Sequence, residues 1–315
     1  MPTVYLHIGR GKTGTTALQR YMASVADSLA AQGIHYVRAG GGARGSGHQD
    51  FAKSFIRNLP DYMTPPSQPD AARRSVAGEI AHCGAEHIVL SSENFELADP
   101  GILRDFFCSL PLSYDVKVIY FARSQDELAE SEYNQMVRVK GENRSFKEYA
   151  ISYISEYDYS SILSPWTQEF GAENIICKIY DGVRSNIVSQ FMECMPIVLS
   201  QSLDARILAP NGAGINASVG LRALVFARIL NGIDLGDRFK FYETIFRGLV
   251  DHDIPALLFD SSEARQFREQ FAASNKVFTR QYMGRELADL GGRRYTDEQR
   301  DAIRSRIKAI KLDSW

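Results

Sequence analysis

Cysteine is scarce in this 315-residue sequence: Cys83, Cys108, Cys177 and Cys194 are the only four, far apart and without paired spacing. That excludes a disulfide framework and a zinc site built on cysteine pairs, and reduced thiols are expected. No apolar stretch approaches the roughly 20 residues needed to cross a bilayer, and the amino end lacks a charged segment followed by an apolar core. The expectation is a cytoplasmic protein with no integral membrane segment. Neither sign of charge dominates either. With 36 Lys and Arg against 38 Asp and Glu, the formal net charge is −2, whereas a nucleic-acid binder shows a basic excess. The basic run at 304–311 mixes with apolar positions like an ordinary surface helix. There is no internal repeat, and no metal is expected.

What is present is enough apolar material, 44% of residues, for one substantial core. Short runs rich in β-formers predict strands at 3–8, 34–37, 87–91, 116–121 and 174–180, alternating with helical segments, the pattern of a parallel sheet covered on both faces. The fold class is therefore α/β: a P-loop-like three-layer fold with a central parallel sheet of about five strands and a helical C-terminal extension. The division expected is an α/β core over 1–183 and a helical part over 184–315 packed on the same domain. In the latter, Ile187, Val188, Phe191, Met192 and Met195 form one stripe and Leu221, Leu224, Val225 and Ile229 another, both read as core. Thr296 to Gln299 fits a capping box opening a last helix.

The richest local signal is Val4-Tyr-Leu-His-Ile-Gly-Arg-Gly-Lys-Thr-Gly-Thr-Thr-Ala-Leu-Gln19. An apolar run stops at a glycine, and after Thr16 the residues Leu18, Tyr21, Met22, Val25 and Leu29 recur at helical spacing. At such a strand-to-helix junction the first helical N–H groups lack intrahelical partners and the macrodipole adds positive charge, so phosphate or sulfate is favoured. Gly9, Gly11 and Gly14 let the backbone close round an anion, Lys12 adds a point charge, and Thr13, Thr15 and Thr16 add hydroxyl donors. A nucleoside-triphosphate P-loop needs a glycine where Leu6 stands, inside the strand. The plain alternative is a tight turn with an N-capping threonine.

A second signal is Arg123, at the end of the 116–121 strand and before a helix expected at 125–139. On that helix Ala129, Tyr133 and Met136 share a face, while Ser131 lies roughly opposite by the turn angle of about 100° per residue and is free to face a ligand. Arg123 with Ser131 would form a second anion clamp. Alternatively, Arg123 is solvated or ion-paired and Ser131 sits on a wet face.

Taken together, these residues resemble the sulfotransferases that use 3′-phosphoadenosine 5′-phosphosulfate (PAPS). The stretch from His7 to Gln19 is similar to their 5′-phosphosulfate loop in its bacterial Lys-Thr-Gly-Thr-Thr form. Residues 120–135, an arginine at a strand end followed by serine and tyrosine, are similar to their 3′-phosphate motif, and the likeness extends over 166–180. The resemblance implies a PAPS-binding α/β core. Arg10, Gly11, Lys12, Thr13, Gly14, Thr15 and Thr16 would hold the phosphosulfate, Lys12 would also stabilise the departing phosphate oxygen, and Arg123 and Ser131 would bind the 3′-phosphate. The physical logic agrees, because a donor with anions at both ends of an adenosine needs two separated anion sites.

An acceptor hydroxyl must lose a proton as it attacks sulfur, so a base is expected within hydrogen-bonding reach. Glu93, at the polar end of the 87–91 strand, is the first candidate, the family's carbohydrate-modifying branches using glutamate. His48, in the loop 45–50, is the rival. Their plain alternatives are a turn-capping or ion-paired carboxylate and a merely exposed histidine, while His7 and His35 lie within strands and read as packed. The glycine-rich 39–47 and proline-rich 60–69 segments read as mobile loops that could shape a pocket for a small-molecule or glycan acceptor. Gly291-Gly-Arg-Arg294 loosely matches the family's nucleotide-closing loop. The competing functions are a nucleotide-dependent phosphotransferase and a non-catalytic nucleotide-binding module.

Overall fold

A computed structural model of the chain describes residues 1–41, 45–180, 187–196, 220–232 and 254–309. Five strands, β1 (Thr3–Gly9), β2 (Ile34–Tyr36), β3 (His87–Ser91), β4 (Asp115–Ala122) and β5 (Ile175–Ile179), form one sheet in the order β2-β3-β1-β4-β5. Every pairing is parallel. Each observed strand lies within one residue of its expected ends. β1 is central, with Leu6 opposite Leu90 of β3 and Val118 of β4, so it is covered on both faces and reads as a continuous apolar run rather than an alternating one.

The faces separate cleanly along β4. Ile119 and Phe121 join Leu18 and Met22 of helix α1 (Thr15–Ser24) and Phe191 of the Ile187–Met192 helix in one core cluster. Tyr120, between them, meets Tyr159 of the Tyr159–Phe170 helix at 5.9 Å between ring centroids. Helices therefore flank the sheet on both sides. Full burial of a side chain such as Leu18 contributes about 1.5–3 kcal/mol. Phe51 packs edge-on against Phe55, Phe95 and Phe106, which seats the 3₁₀ turn Glu93–Leu97 that follows β3.

The chain divides into two compact units, one of Met1–Arg123, Tyr159–Ala213 and Lys276–Leu287, the other of Ser124–Asp158, Gly214–Asn275 and Ala288–Trp315. This differs from a division at residue 183, because residues 124–158 cluster with later segments. Buried charge explains why. On the Gln125–Gln135 helix, Asp126 accepts from Arg268 Nη1 at 2.7 Å and Glu130 from Arg300 Nη1 at 2.7 Å. Glu130 also accepts the N–H groups of Leu258 and Phe259 at 2.8 and 2.9 Å. Burial still pushes the Glu130 carboxyl upward, with Arg300 opposing it. Removing any one partner would leave a buried charge uncompensated.

In this second unit the capping box forms as expected: Thr296 N–H donates to Gln299 Oε1 at 3.0 Å, and Gln299 N–H to Thr296 Oγ1 at 3.3 Å. The Leu221–Asn231 helix buries Leu221 and Leu224, whereas Ile229 is 40% exposed. The reason is Asn231, whose buried amide donates to the carbonyls of Val137 and Glu142, both at 2.8 Å, and turns that end of the helix.

Candidate active site

β1 delivers the anion loop. Its pairing with β4 slips between His7 and Gly9, and the chain then turns so that Gly14 stands at the N-cap of α1 with φ 83° and no side-chain cap. Glycine is required there, since a Cβ would lie 3.2 Å from Ile187 Cγ2 in addition to the left-handed strain. Lys12 adopts φ 64°, a conformation that costs a residue with a side chain about 1–2 kcal/mol. Among the described residues, the N–H groups of Gly11, Thr13, Gly14, Thr15 and Thr16 donate to no protein acceptor. Orphan donors at the positive end of a helix form a site for an anion.

The loop's side chains behave differently from the sequence expectation. Thr13 and Thr15 are buried, and their hydroxyls donate to the Arg10 carbonyl at 2.6 and 3.3 Å. They tie the loop to itself, whereas Thr16, half-buried, makes no side-chain hydrogen bond among the described residues. Arg10, expected among the donor-binding residues, is only 5% exposed and is ion-paired with Glu96 of the 3₁₀ turn. Its N–H donates to the Phe121 carbonyl at 3.2 Å. An always-charged guanidinium can be buried only against a carboxylate, so this side chain braces the loop from beneath.

Arg123 follows the last residue of β4. Its Nη1 donates to the Lys12 carbonyl at 3.0 Å, and its own carbonyl accepts from Tyr159 Oη at 2.5 Å. The guanidinium also lies 5.9 Å from the Tyr180 ring centroid. Arg123, the candidate for the second anion site, is thus bonded directly to the loop after β1. Ser131 lies in the Gln125–Gln135 helix of the other unit, half-buried, with its hydroxyl bonded to no described residue. In that unit Arg293 pairs with Asp289 at 2.7 Å and Arg294 N–H donates to Glu127, so the 291–294 stretch is held internally.

Glu93 opens the turn after β3, beside β1 in the sheet. A Cβ on Gly9 would come within 3.8 Å of Glu93 Cα, so the carboxylate's backbone sits against the start of the loop. Glu93 is half-buried, accepts from Gln19 Nε2 at 3.3 Å, and its charge adds to burial in raising the Tyr36 hydroxyl well above its ordinary value. His48 is not an exposed loop residue. It is 1% exposed; Nδ1 accepts from Ser91 N–H at 2.9 Å, which leaves Nε2 to donate to the Val37 carbonyl at 2.7 Å. Burial lowers its pKa, so it is a neutral structural imidazole with no lone pair left for an acceptor proton. His7 is packed as expected, with Nδ1 2.8 Å from Ser91 Oγ, and burial pushes its pKa down to about 3. His35 pairs with Glu79 at 2.8 Å.

Glu96, Gln19 and Tyr159 are site residues that sequence reasoning passed over. Only Gln19 carried a local signal, as a polar residue at a helical position shared with Leu18 and Met22. Residues 42–44 of the glycine-rich loop lie outside those described; Ser46, just beyond, accepts a hydrogen bond from Tyr36 Oη at 2.6 Å. Among the described residues no three His, Cys, Asp or Glu side chains converge as a metal-binding set, and no helix is long and apolar enough to cross a membrane. All four cysteines are free thiols.

No protein-family model matches the chain. An uncharacterized protein of Archaeoglobus fulgidus is 31% identical over 175 residues, which are 53% of this chain and 46% of that protein, so the chain spans about half the length of the curated relative it matches. Among solved structures, the chain is similar to a sulfotransferase from Alicyclobacillus acidocaldarius, with 16% identity and a TM-score of 0.43, over 80% of this chain and 97% of that one.

Proposed function

We propose that the chain is a sulfotransferase that moves a sulfuryl group from PAPS to a hydroxyl acceptor. The observation that carries the reading is the array of orphan N–H groups at the end of β1, with Arg123 bonded to the same loop through the Lys12 carbonyl. The loop suits one anionic end of such a donor, and Arg123, at the end of the neighbouring strand β4, is assigned the other. The motifs at 7–19 and 120–135 point the same way. In the assigned roles, the loop amides of residues 11–16 hold the phosphosulfate, and Arg123 binds the 3′-phosphate. Thr13 and Thr15 serve through their amides, because their hydroxyls are already engaged, and Arg10 serves as a brace.

When bound, the donor would supply the sulfuryl group and a phosphate leaving group. Glu93 takes the proton of the acceptor hydroxyl as its oxygen attacks sulfur in line, and Lys12 stabilises the charge left on the phosphate oxygen as the bridging sulfur–oxygen bond breaks. No metal is needed for this balance. Glu93 is the base rather than His48, whose two ring nitrogens are occupied by backbone. A shallow concavity lined by Ala39, Gly40, Asp50, Ser67, Gln68, Ala71, Ala72 and Ser75 takes residues from both the 39–47 and the 60–69 segments. A glutamate base is what supports reading the acceptor as a carbohydrate or glycan-like molecule.

Calorimetry with adenosine 3′,5′-bisphosphate and with ATP plus magnesium tests the reading. Binding of the bisphosphate is expected, independent of metal. Tight magnesium-dependent binding of ATP with no binding of the bisphosphate would instead indicate a phosphotransferase.

A further inference from the structure

Gln19 occupies a place that an apolar residue would ordinarily fill. The buried face of α1 consists of Thr15, Leu18, Gln19 and Met22, and Gln19 is 2% exposed. A buried carboxamide must find hydrogen-bond partners, so its presence in a core stripe calls for a reason. Its Nε2 lies 3.2 Å from the Ser91 carbonyl, 3.4 Å from Ser91 Oγ and 3.3 Å from Glu93 Oε2. Its Oε1 accepts from Gln49 Nε2 at 3.1 Å. This network sets the amide's orientation: reversed, Oε1 would face the Ser91 carbonyl and the Glu93 carboxylate, both of them acceptors. Only glycine fits at position 47 beside this amide, since a Cβ there would lie 2.5 Å from Gln19 Cδ.

We propose that Gln19 is a positioning residue for Glu93, with Gln49 fixing the amide that does the positioning. The inference rests on the reading of Glu93 as the base. The helix that opens at the anion loop would thereby also aim the group that takes the acceptor's proton, so loop and base keep one spacing. A leucine at this position would fill the core without the burial cost of an amide, and would leave one Glu93 oxygen without its donor.

The test compares wild type, Gln19→Met, Glu93→Gln and the double variant. Single-turnover release of adenosine 3′,5′-bisphosphate from labelled donor is measured with glycerol as the hydroxyl acceptor, and bisphosphate binding by calorimetry. Gln19→Met should lower turnover about ten-fold, within the roughly 100-fold that a 1 Å misplacement can cost, and leave bisphosphate affinity unchanged. In the Glu93→Gln background it should lower turnover no further, because its effect runs through the carboxylate. Gln49→Ala, which frees the amide without altering the core, should lower turnover in the same direction and decides the matter if Gln19→Met does not fold. An equal loss in both backgrounds, or loss of bisphosphate binding with turnover per bound donor intact, overturns the positioning role. Full turnover by Glu93→Gln, or none by wild type, instead overturns the proposed base or the proposed activity.

Discussion

Lowering the pH should destabilise the fold through His7. His7 is fully buried, and burial holds its pKa at about 3 against an ordinary 6.5, with the Gly9 backbone opposing only in part. In the unfolded chain the same imidazole takes a proton near pH 6.5; in the fold it takes none until about pH 3. The depressed folded value means that stability is complete above pH 6.5 and is lost as pH falls from there toward 3. At pH 5.5 the loss is RT ln(1 + 10), about 1.4 kcal/mol for this group alone. His48 acts with the same sign. Urea unfolding of wild type and His7→Gln at pH 7.5 and 5.5 isolates His7, because His48 is common to both. Wild type should lose about 1.4 kcal/mol more than the variant between the two pH values. Equal losses would mean that His7 is not held neutral and that the packing of the strand ends beneath the site has been misjudged.

Lys12→Ala should lower sulfuryl transfer by about 100-fold or more, the scale of losing one donor to a developing oxyanion, while calorimetry still detects bisphosphate binding; wild-type activity would remove its assigned role. Arg123→Ala should weaken bisphosphate binding by about 1.5–3 kcal/mol, the range for a hydrogen bond to a charged group, and unchanged affinity would place the 3′-phosphate elsewhere. Gly14→Val should lower the unfolding midpoint in urea, because a side chain there meets Ile187 and forces the left-handed region on a β-branched residue. Glu96→Gln should destabilise by about 3–5 kcal/mol by leaving Arg10 charged and buried, and Arg10→Met with Glu96→Leu should recover part of that; a single variant as stable as wild type would show that the pair is not closed.

Much of this protein can be read from short stretches of chain. The five strands, the turn from β1 into α1, Arg123 at the end of a strand and Glu93 just beyond another depend on periodicity and on glycine at the turn, which are properties of neighbours in sequence. The two motifs, at 7–19 and 120–135, are likewise local. What the sequence did not disclose lies in side chains whose partners are far along it. Arg10 looks like a ligand-binding arginine until Glu96, 86 residues later, turns it inward. His48 sits in a glycine-rich segment that reads as loop, yet its ring lies between backbone atoms of Val37 and Ser91. Residues 124–158 read as part of the α/β core, but Asp126 and Glu130 are paired with Arg268 and Arg300, 142 and 170 residues away. Composition and spacing therefore determined the sheet, its loop and the kind of ligand to expect. Which charged and polar groups are turned inward was decided only by tertiary structure, because burying a charge requires a partner and the fold alone determines which residue supplies it.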